Sequence, residues 1–276
     1  MKEPISLVMA DAPLVAAFTR VACPYDLLTT SSVERSIFAD DDPQCVLAIH
    51  DTGLEAFGAG VVRGAQSWVK FLAVHPRVQR AGLGSLLLER IEAFCRDQGA
   101  TSIQVGNSAP IYVVPGVDVR ATEAVCFFEA HGYNQAGEAV NLGVPLRELA
   151  EPPLLCETAD SEALERIRPW VTETYPHWIP ELERGVALGT CVVHEDLGFA
   201  CYDVNREGWF GPIATRPDLH QKRGVGTSTL LTALHRMRDR GHERAEIAWA
   251  TALPFYVKSV GARVSRVFWH FNKSLA

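Results

Sequence analysis

One unit built around a glycine turn occurs twice in this chain. The first copy reads WVKFLAVHPRVQRAGLGSLLLERIEAFCRDQGATSIQV from Trp68, and the second reads GWFGPIATRPDLHQKRGVGTSTLLTALHRMRDRGHERAEIAW from Gly208. The two copies lie about half the chain apart, which is much longer than the period of solenoid repeats. A length of 276 residues also favours two domains. We therefore expect two similar domains in tandem.

Each copy has the same order of predicted elements. An apolar stretch predicts a strand, at Phe71 to Val74 and at Phe210 to Ala214, and a proline follows it. The glycine turn then leads into a helix with apolar residues at helical spacing, which ends at a further glycine. Another strand and an aromatic-rich helix come next, in CFFEAHGY and PFYVKSVGA. This order predicts an α/β (α+β) fold in which each half has a mixed central sheet flanked by helices. The paired prolines after Glu151 predict a linker, so the expected domains are residues 1–150 and 151–276.

The glycine turns, QRAGLG from Gln79 and QKRGVG from Gln221, predict an anion site. Glycine leaves backbone N–H groups uncovered at the start of a helix, where the positive end of the helix dipole attracts anions. A pyrophosphate would fit such a turn, although many GxG turns only connect two elements. Neither copy has the GxxxxGK[ST] spacing of a P-loop or the third glycine of GxGxxG, so both of those phosphate motifs are excluded.

The pattern QxxGxG, between a strand that carries VxP or TxP and an amphipathic helix, resembles the acetyl-CoA-binding signature of the GNAT N-acetyltransferases. The resemblance implies two tandem GNAT-type domains. It also implies that turn amides hold the pyrophosphate of coenzyme A and that the preceding strand splays to pair with pantetheine. The cofactor is then acetyl-CoA, with coenzyme A as product and no metal. The cofactor-binding positions implied are Leu72, Ala73, Val74, Gln79, Arg80, Gly82 and Gly84 in the first copy and Ile213, Ala214, Thr215, Gln221, Lys222, Arg223, Gly224, Val225, Gly226 and Thr227 in the second.

The same resemblance implies where catalysis occurs. In the family, a tyrosine on the helix after the second strand protonates the sulfur of coenzyme A. Tyr256 occupies that position in the second copy, whereas the first copy has Phe128, which has no proton to give. We therefore expect the C-terminal domain to be catalytic and the N-terminal domain to be degenerate or to depend on another acid. The structural alternative for Tyr256 is a core aromatic with its hydroxyl at the surface.

Glu246 is the candidate general base. A carboxylate within an otherwise apolar strand is unusual, because burial of a charge without a partner is costly. Near the splay, Glu246 could take the proton of the acceptor amine directly or through water. It could equally be a solvated edge residue.

The acceptor is predicted less sharply than the cofactor. The aromatic residues of PWVTETYPHW, with Tyr175 and Trp178, fall where the early helices of the family wall the acceptor site, and Trp249 is a third candidate. They could stack on a sugar ring or pack within the domain. The segment GNSAPIYVVPGVDVRATEA of the first copy is similar to a PGVD segment in tandem-domain GNAT proteins, some of which acetylate glucosamine. An amino sugar such as glucosamine is therefore one expected acceptor, beside peptide, polyamine, aminoglycoside or thiol-precursor amines. An acetyl-CoA sensor with little turnover is the alternative from another class.

Charge and cysteine content narrow the function further. A net charge of −7 disfavours general binding of nucleic acid. With no apolar run long enough to span a bilayer and no basic, apolar start, we expect a cytoplasmic protein without a membrane partner. The seven cysteines have no CxxC pair, so they are expected to be free thiols rather than metal ligands, with Cys95 and Cys126 in the core. A monomer or homodimer is expected.

Overall fold

The computed structural model describes residues 3–218 and 224–275, so the predicted turn residues Gln221, Lys222 and Arg223 lie outside it. The chain divides into two compact units. Unit 1 comprises Met1–Ala139 and Val267–Ala276, and unit 2 comprises Val140–Arg266. The sequence placed a single boundary near residue 150. The structure has two crossing points instead, because each half of the chain ends in a strand that continues into the other unit.

Thirteen strands and eight helices make up the described part of the chain, besides a few shorter turns. The strands are β1 (Ile5–Ser6), β2 (Gln44–His50), β3 (Leu54–Arg63), β4 (Gln66–Val74), β5 (Ser102–Val105), β6 (Val117–Asp118), β7 (Asn134–Pro145), β8 (Glu157–Thr158), β9 (Cys191–His194), β10 (Gly198–Tyr202), β11 (Trp209–Thr215), β12 (Arg244–Ile247) and β13 (Arg263–Ser274). The helices are α1 (Ala12–Ala22), α2 (Thr30–Val33), α3 (Leu83–Asp97), α4 (Thr122–Ala130), α5 (Ser161–Thr174), α6 (Ile179–Ala187), α7 (Val225–Asp239) and α8 (Leu253–Val260).

The strands of the two units are arranged in the same mixed topology. In unit 1 the strand order is β1-β2-β3-β4-β5-β13, and in unit 2 it is β8-β9-β10-β11-β12-β7. The paired strands are antiparallel except β4 with β5 and β11 with β12, which are parallel. Two parallel strands need a crossover connection, because the chain must return to the end of the sheet where the first strand began. Helix α3 provides this connection in unit 1, and helix α7 provides it in unit 2. The predicted α/β class is confirmed.

Helices α3 and α7 show why both copies fold alike. Each has 15 residues and buries apolar side chains at helical spacing, such as Leu88 and Ile91 in α3 and Leu231 and Leu234 in α7. Each is followed by a glycine with a left-handed backbone, Gly99 or Gly241, and such a glycine ends a helix without a steric penalty. The predicted ends of both helices therefore agree with the structure.

Alternation along the strands separates two apolar layers in unit 2. Val192 and Ala200 pack in the cluster that includes α7 and α8. Cys191 and Cys201 pack in the cluster that includes α5 and α6, and they lie directly opposite each other as free thiols. Because successive side chains of a strand point to opposite faces, the sheet lies between these two pairs of helices. In unit 1, Cys95 is buried as expected, whereas Cys126 is exposed, because it lies on the outer side of α4.

Candidate active site

The glycine turn of each unit has the geometry that an anion site needs. Gly82 precedes α3 with φ of 82°, and Gly224 precedes α7 with φ of 77°, both in the left-handed region that favours glycine. A Cβ at Gly82 would meet no other atom within 4 Å, and one at Gly224 would come no closer than 3.6 Å, to Pro153. At Gly82 the position of a side chain is therefore open space, and at Gly224 a Cβ would make only ordinary van der Waals contact. In unit 1, Gln79 and Arg80 are exposed beside it.

The second glycine of each turn allows close packing. A Cβ at Gly84 would lie 3.3 Å from the ring of Phe127, and one at Gly226 would lie 3.6 Å from the ring of Phe255. These two phenylalanines lie on α4 and α8, which follow the second strand of each parallel pair. The two helices therefore meet the two turns in the same way, and Phe128 and Tyr256 occupy equivalent positions.

The two parallel strand pairs splay apart at equivalent places. Pairing of β4 with β5 ends at Val69 with Val105, and pairing of β11 with β12 ends at Phe210 with Ile247. The first strand of each pair then continues toward the turn, and a bulge against its other neighbour redirects it at this point. The continuing backbone leaves one edge for a ligand to pair with, at the predicted positions Leu72, Ala73, Val74, Ile213, Ala214 and Thr215.

Tyr256 lies on α8 within the apolar layer that contains α7. Its side chain is buried, 5.1 Å between ring centroids from Phe255 and 6.4 Å from Phe210 at the splay. Burial raises the pKa of the Tyr256 hydroxyl to about 12, because the phenolate would be poorly solvated. Tyr256 therefore keeps its proton at neutral pH and stays a hydrogen-bond donor.

Glu246 lies on the opposite face of the same sheet. Its neighbours Ala245 and Ile247 both pack with α7 and α8, so alternation along β12 directs the Glu246 side chain toward the face that carries α5 and α6. Its carboxylate accepts a hydrogen bond from the amide of Asn141 on β7 and lies 4.0 Å from the guanidinium of Arg266 on β13. The side chain retains 24% of its exposure, so it is neither a fully solvated edge residue nor buried without partners.

Unit 1 has a neutral side chain where unit 2 has Glu246. In the register of the parallel pairs, Gln104 lies opposite Trp68 and Glu246 lies opposite Trp209. The oxygen of the Gln104 amide accepts a hydrogen bond of 3.1 Å from Asn107. Unit 1 therefore lacks both a carboxylate and a tyrosine at the positions of Glu246 and Tyr256.

The bulge of unit 1 carries a buried ion pair. Lys70 is the extra residue of the bulge, fully buried, and its ammonium lies 2.7 Å from Asp40. Arg63 lies 2.6 Å from the same carboxylate, which therefore has two cationic partners. In unit 2 the bulge residues are Gly211 and Pro212, which carry no charge.

The predicted substrate aromatics fall in two places within unit 2. Tyr175 and Trp178 stack on each other at the junction of α5 and α6, with ring centroids 4.6 Å apart and planes 23° apart. Both are half-buried and pack against the cluster that contains Ala214 of the splayed strand. Trp249 follows β12 and has φ of 49°. Its backbone N–H donates to the side-chain oxygen of Asn141 at 2.8 Å.

Sequence reasoning missed Asn141, Arg266 and Lys70. Asn141 and Arg266 lie on the two strands that cross between units, so only the three-dimensional pairing brings them to Glu246. The signal for Lys70 was present in the sequence, since a lysine within an apolar strand needs a buried counter-charge.

Comparison with known proteins identifies the family. A model described as an acetyltransferase (GNAT) domain matches residues 41–135, and one described as the acetyltransferase (GNAT) family matches residues 145–262. The chain belongs to the GNAT acetyltransferases and carries two domains of that family in tandem. It is thus an acyltransferase of the acetyl-CoA-dependent class. A comparison with curated proteins gave no match.

Several solved structures superpose on the whole length of this chain. A glucosamine N-acetyltransferase region of a fungal multi-domain GH3 β-N-acetylglucosaminidase superposes with a TM-score of 0.78 at 17% identity, over 99% of this chain and 38% of the fungal protein. A tandem GNAT protein of the clavulanic acid biosynthesis pathway gives 0.74 at 12% identity, over 100% and 99%. A GNAT protein from Sphaerobacter thermophilus gives 0.72 at 19% identity, over 99% and 95%. At these identities the likeness is one of fold.

Within residues 3–218 and 224–275, no cluster of three or more histidine, cysteine, aspartate or glutamate side chains could hold a metal ion. No helix in the same ranges is both long and apolar enough to cross a bilayer.

Proposed function

We propose that unit 2 transfers the acetyl group of acetyl-CoA to a primary amine of a small molecule, and that unit 1 does not catalyse this reaction. The observation that carries the proposal is the presence of both Glu246 and Tyr256 in unit 2, at the positions where unit 1 has Gln104 and Phe128. Family membership gives both units the coenzyme-binding fold. At these two positions unit 2 has a carboxylate and a phenol, and unit 1 has neither.

The described residues of unit 2 fit coenzyme A. The start of α7, with Gly224, Val225, Gly226 and Thr227, would hold the pyrophosphate through backbone N–H groups. The unpaired edge of Ile213 to Thr215 would pair with the pantetheine amides, as a neighbouring strand does. Acetyl-CoA, when bound, supplies the acetyl group as a thioester.

Glu246 and Tyr256 act from opposite faces of the sheet. Glu246 takes a proton from the amine nitrogen as that nitrogen bonds to the carbonyl carbon, and a strand N–H donates to the carbonyl oxygen. Tyr256 donates its hydroxyl proton toward the sulfur as the carbon–sulfur bond breaks. The products are an N-acetyl amide and the free thiol of coenzyme A. With base and acid on opposite faces, the amine and the leaving sulfur do not compete for one space.

An amino sugar such as glucosamine is the acceptor class that we propose. The stacked, half-buried Tyr175 and Trp178 offer an aromatic surface of the kind that packs on a sugar ring. The acceptor named for the fungal neighbour, glucosamine, suggests the same class.

The test combines binding and turnover. Acetyl-CoA is titrated into the protein by calorimetry, and thiol release is followed over a panel of amines that includes glucosamine, spermidine and a peptide. We expect amine-dependent thiol release that falls about hundredfold in Tyr256→Phe. Tyr202→Phe is the matched control, because Tyr202 is buried in the same apolar cluster but lies on β10 rather than on α8. Acetyl-CoA binding without turnover on any amine would contradict the proposal and favour a sensor.

A further inference from the structure

The side chain of Asn141 lies at the centre of the polar contacts around Glu246. Asn141 is fully buried, and its Oδ1 accepts the backbone N–H of Trp249 at 2.8 Å. Because that N–H can only donate, Oδ1 must face Trp249 and Nδ2 must face the other way, toward Oε1 of Glu246. The orientation of the amide is thus fixed by the backbone on one side, and its N–H group is presented to the carboxylate on the other.

We propose that Asn141 is a positioning residue for acetyl transfer in unit 2, holding the carboxylate of Glu246 in place against the backbone of Trp249. This inference rests on the function proposed above for Glu246. A carboxylate has two oxygens, and the one that Asn141 binds leaves Oε2 to receive the proton of the amine. A base must be held close to its target geometry to be effective, and a fully buried amide with both ends bonded restricts Glu246 in this way.

Charged groups from two strands surround this contact. Arg266 on β13 lies 4.0 Å from Oε1 of Glu246. Arg244 precedes Glu246 by two residues on β12, and its guanidinium lies 2.9 Å from where a Cβ would stand on Gly143, the register partner of Glu246. On the other neighbouring strand, β11, the register partner is the uncharged Trp209. Asn141 is therefore a neutral hydrogen-bond donor beside two arginines. It fixes the orientation of the Glu246 carboxylate without adding a charge.

Asn141 lies on a strand that is shared between the two units. It lies on β7, which begins in unit 1 and continues into unit 2. Asn141 and Arg266 both lie outside residues 145–262, the range of the second family match. These two side chains beside the Glu246 carboxylate thus belong to strand residues outside the range of that match.

The test replaces one contact at a time. Asn141→Asp keeps an oxygen for the N–H of Trp249 but sets a carboxylate against Glu246. We expect kcat at pH 8 to fall about thirtyfold, with the KM for acetyl-CoA unchanged. The loss should shrink as the pH falls, because two adjacent carboxylates share a proton and the shared proton restores a donor. A purely structural role would give a loss that does not depend on pH. Asn272→Asp, at an exposed site on β13 of unit 1, is the matched control.

Two further measurements keep the outcome clear. In a Glu246→Gln background, Asn141→Asp should change kcat less than threefold, because its effect passes through Glu246. A loss of the full thirtyfold there would overturn the proposal. Independently of turnover, the ¹³C carboxylate signal of Glu246 should shift in Asn141→Asp, and an unchanged signal would also overturn it. Failure of the wild-type protein to acetylate any amine would instead refute the proposed function, while the carboxylate signal still tests the contact.

Discussion

The two units share a backbone but differ in the side chains at the splay. Both have left-handed glycines at the turns, equal helices, a bulge and a phenylalanine packed on the second glycine. Unit 2 adds Glu246 and Tyr256, where unit 1 has Gln104 and Phe128. Glycine conformation and apolar packing maintain the fold in both units. In the function proposed above, the capacity for acid–base chemistry rests on these two side chains, so the fold alone would not distinguish an active unit from an inactive one.

The bulge residues of the two units also differ in charge. In unit 1 the bulge presents Lys70, held by Asp40 in a fully buried pair. In unit 2 the bulge residues are Gly211 and Pro212, which carry no charge. An interior ion pair contributes to the stability of unit 1 only while both partners remain. We infer that unit 1 uses this position for structure, whereas unit 2 keeps it free of ion pairing.

Exchanging the side chains at the equivalent positions Glu246 and Gln104 should have the largest effect on the rate. Glu246→Gln makes unit 2 resemble unit 1, and we expect kcat/KM to fall about hundredfold at pH 7, because an amide cannot accept the proton. The affinity for acetyl-CoA, measured by calorimetry, should not change. Gln104→Glu is the reciprocal control and should leave the rate unchanged. A Glu246→Gln rate within threefold of the wild type would remove Glu246 from the mechanism.

Breaking the ion pair of unit 1 should affect stability rather than rate. Lys70→Met should lower the free energy of unfolding by about 3 kcal/mol, at the low end for a buried pair because Arg63 still contacts Asp40. Urea denaturation measures this, with Arg166→Met as a control at an exposed pair with Glu162. The kcat per folded molecule should stay the same. A lower kcat in folded Lys70→Met would show that unit 1 takes part in turnover.

Alanine at the first glycine of each turn should have the smallest effect. It should lower the stability of both units but weaken acetyl-CoA binding in only one of them. Gly82→Ala and Gly224→Ala each place a Cβ on a left-handed backbone, which costs about 1–2 kcal/mol of stability. We expect only Gly224→Ala to raise the KM for acetyl-CoA, by about tenfold, because it alters the turn of the catalytic unit. An increase confined to Gly82→Ala would assign turnover to unit 1.

Much of this arrangement could be predicted from the sequence, because it depends on local pattern. The periodicity of Leu87, Leu88 and Ile91 predicts α3, and the glycines predict its turn and its end. The position of Tyr256 follows from the repeat. The edges of the units could not be predicted in this way. Nothing local in β7 or β13 shows that each strand crosses into the other unit, and so the contact of Asn141 with Glu246 required the structure.

Moving the tyrosine hydroxyl from one unit to the other tests the central claim most directly. The measurement is kcat for amine-dependent thiol release in Tyr256→Phe and in the double variant Tyr256→Phe with Phe128→Tyr, each checked for folding. Because unit 1 has no carboxylate at the position of Glu246, we predict that the double variant is as slow as Tyr256→Phe, about hundredfold below the wild type. Recovery of wild-type kcat in the double variant, or no loss in Tyr256→Phe, would contradict the assignment of catalysis to unit 2.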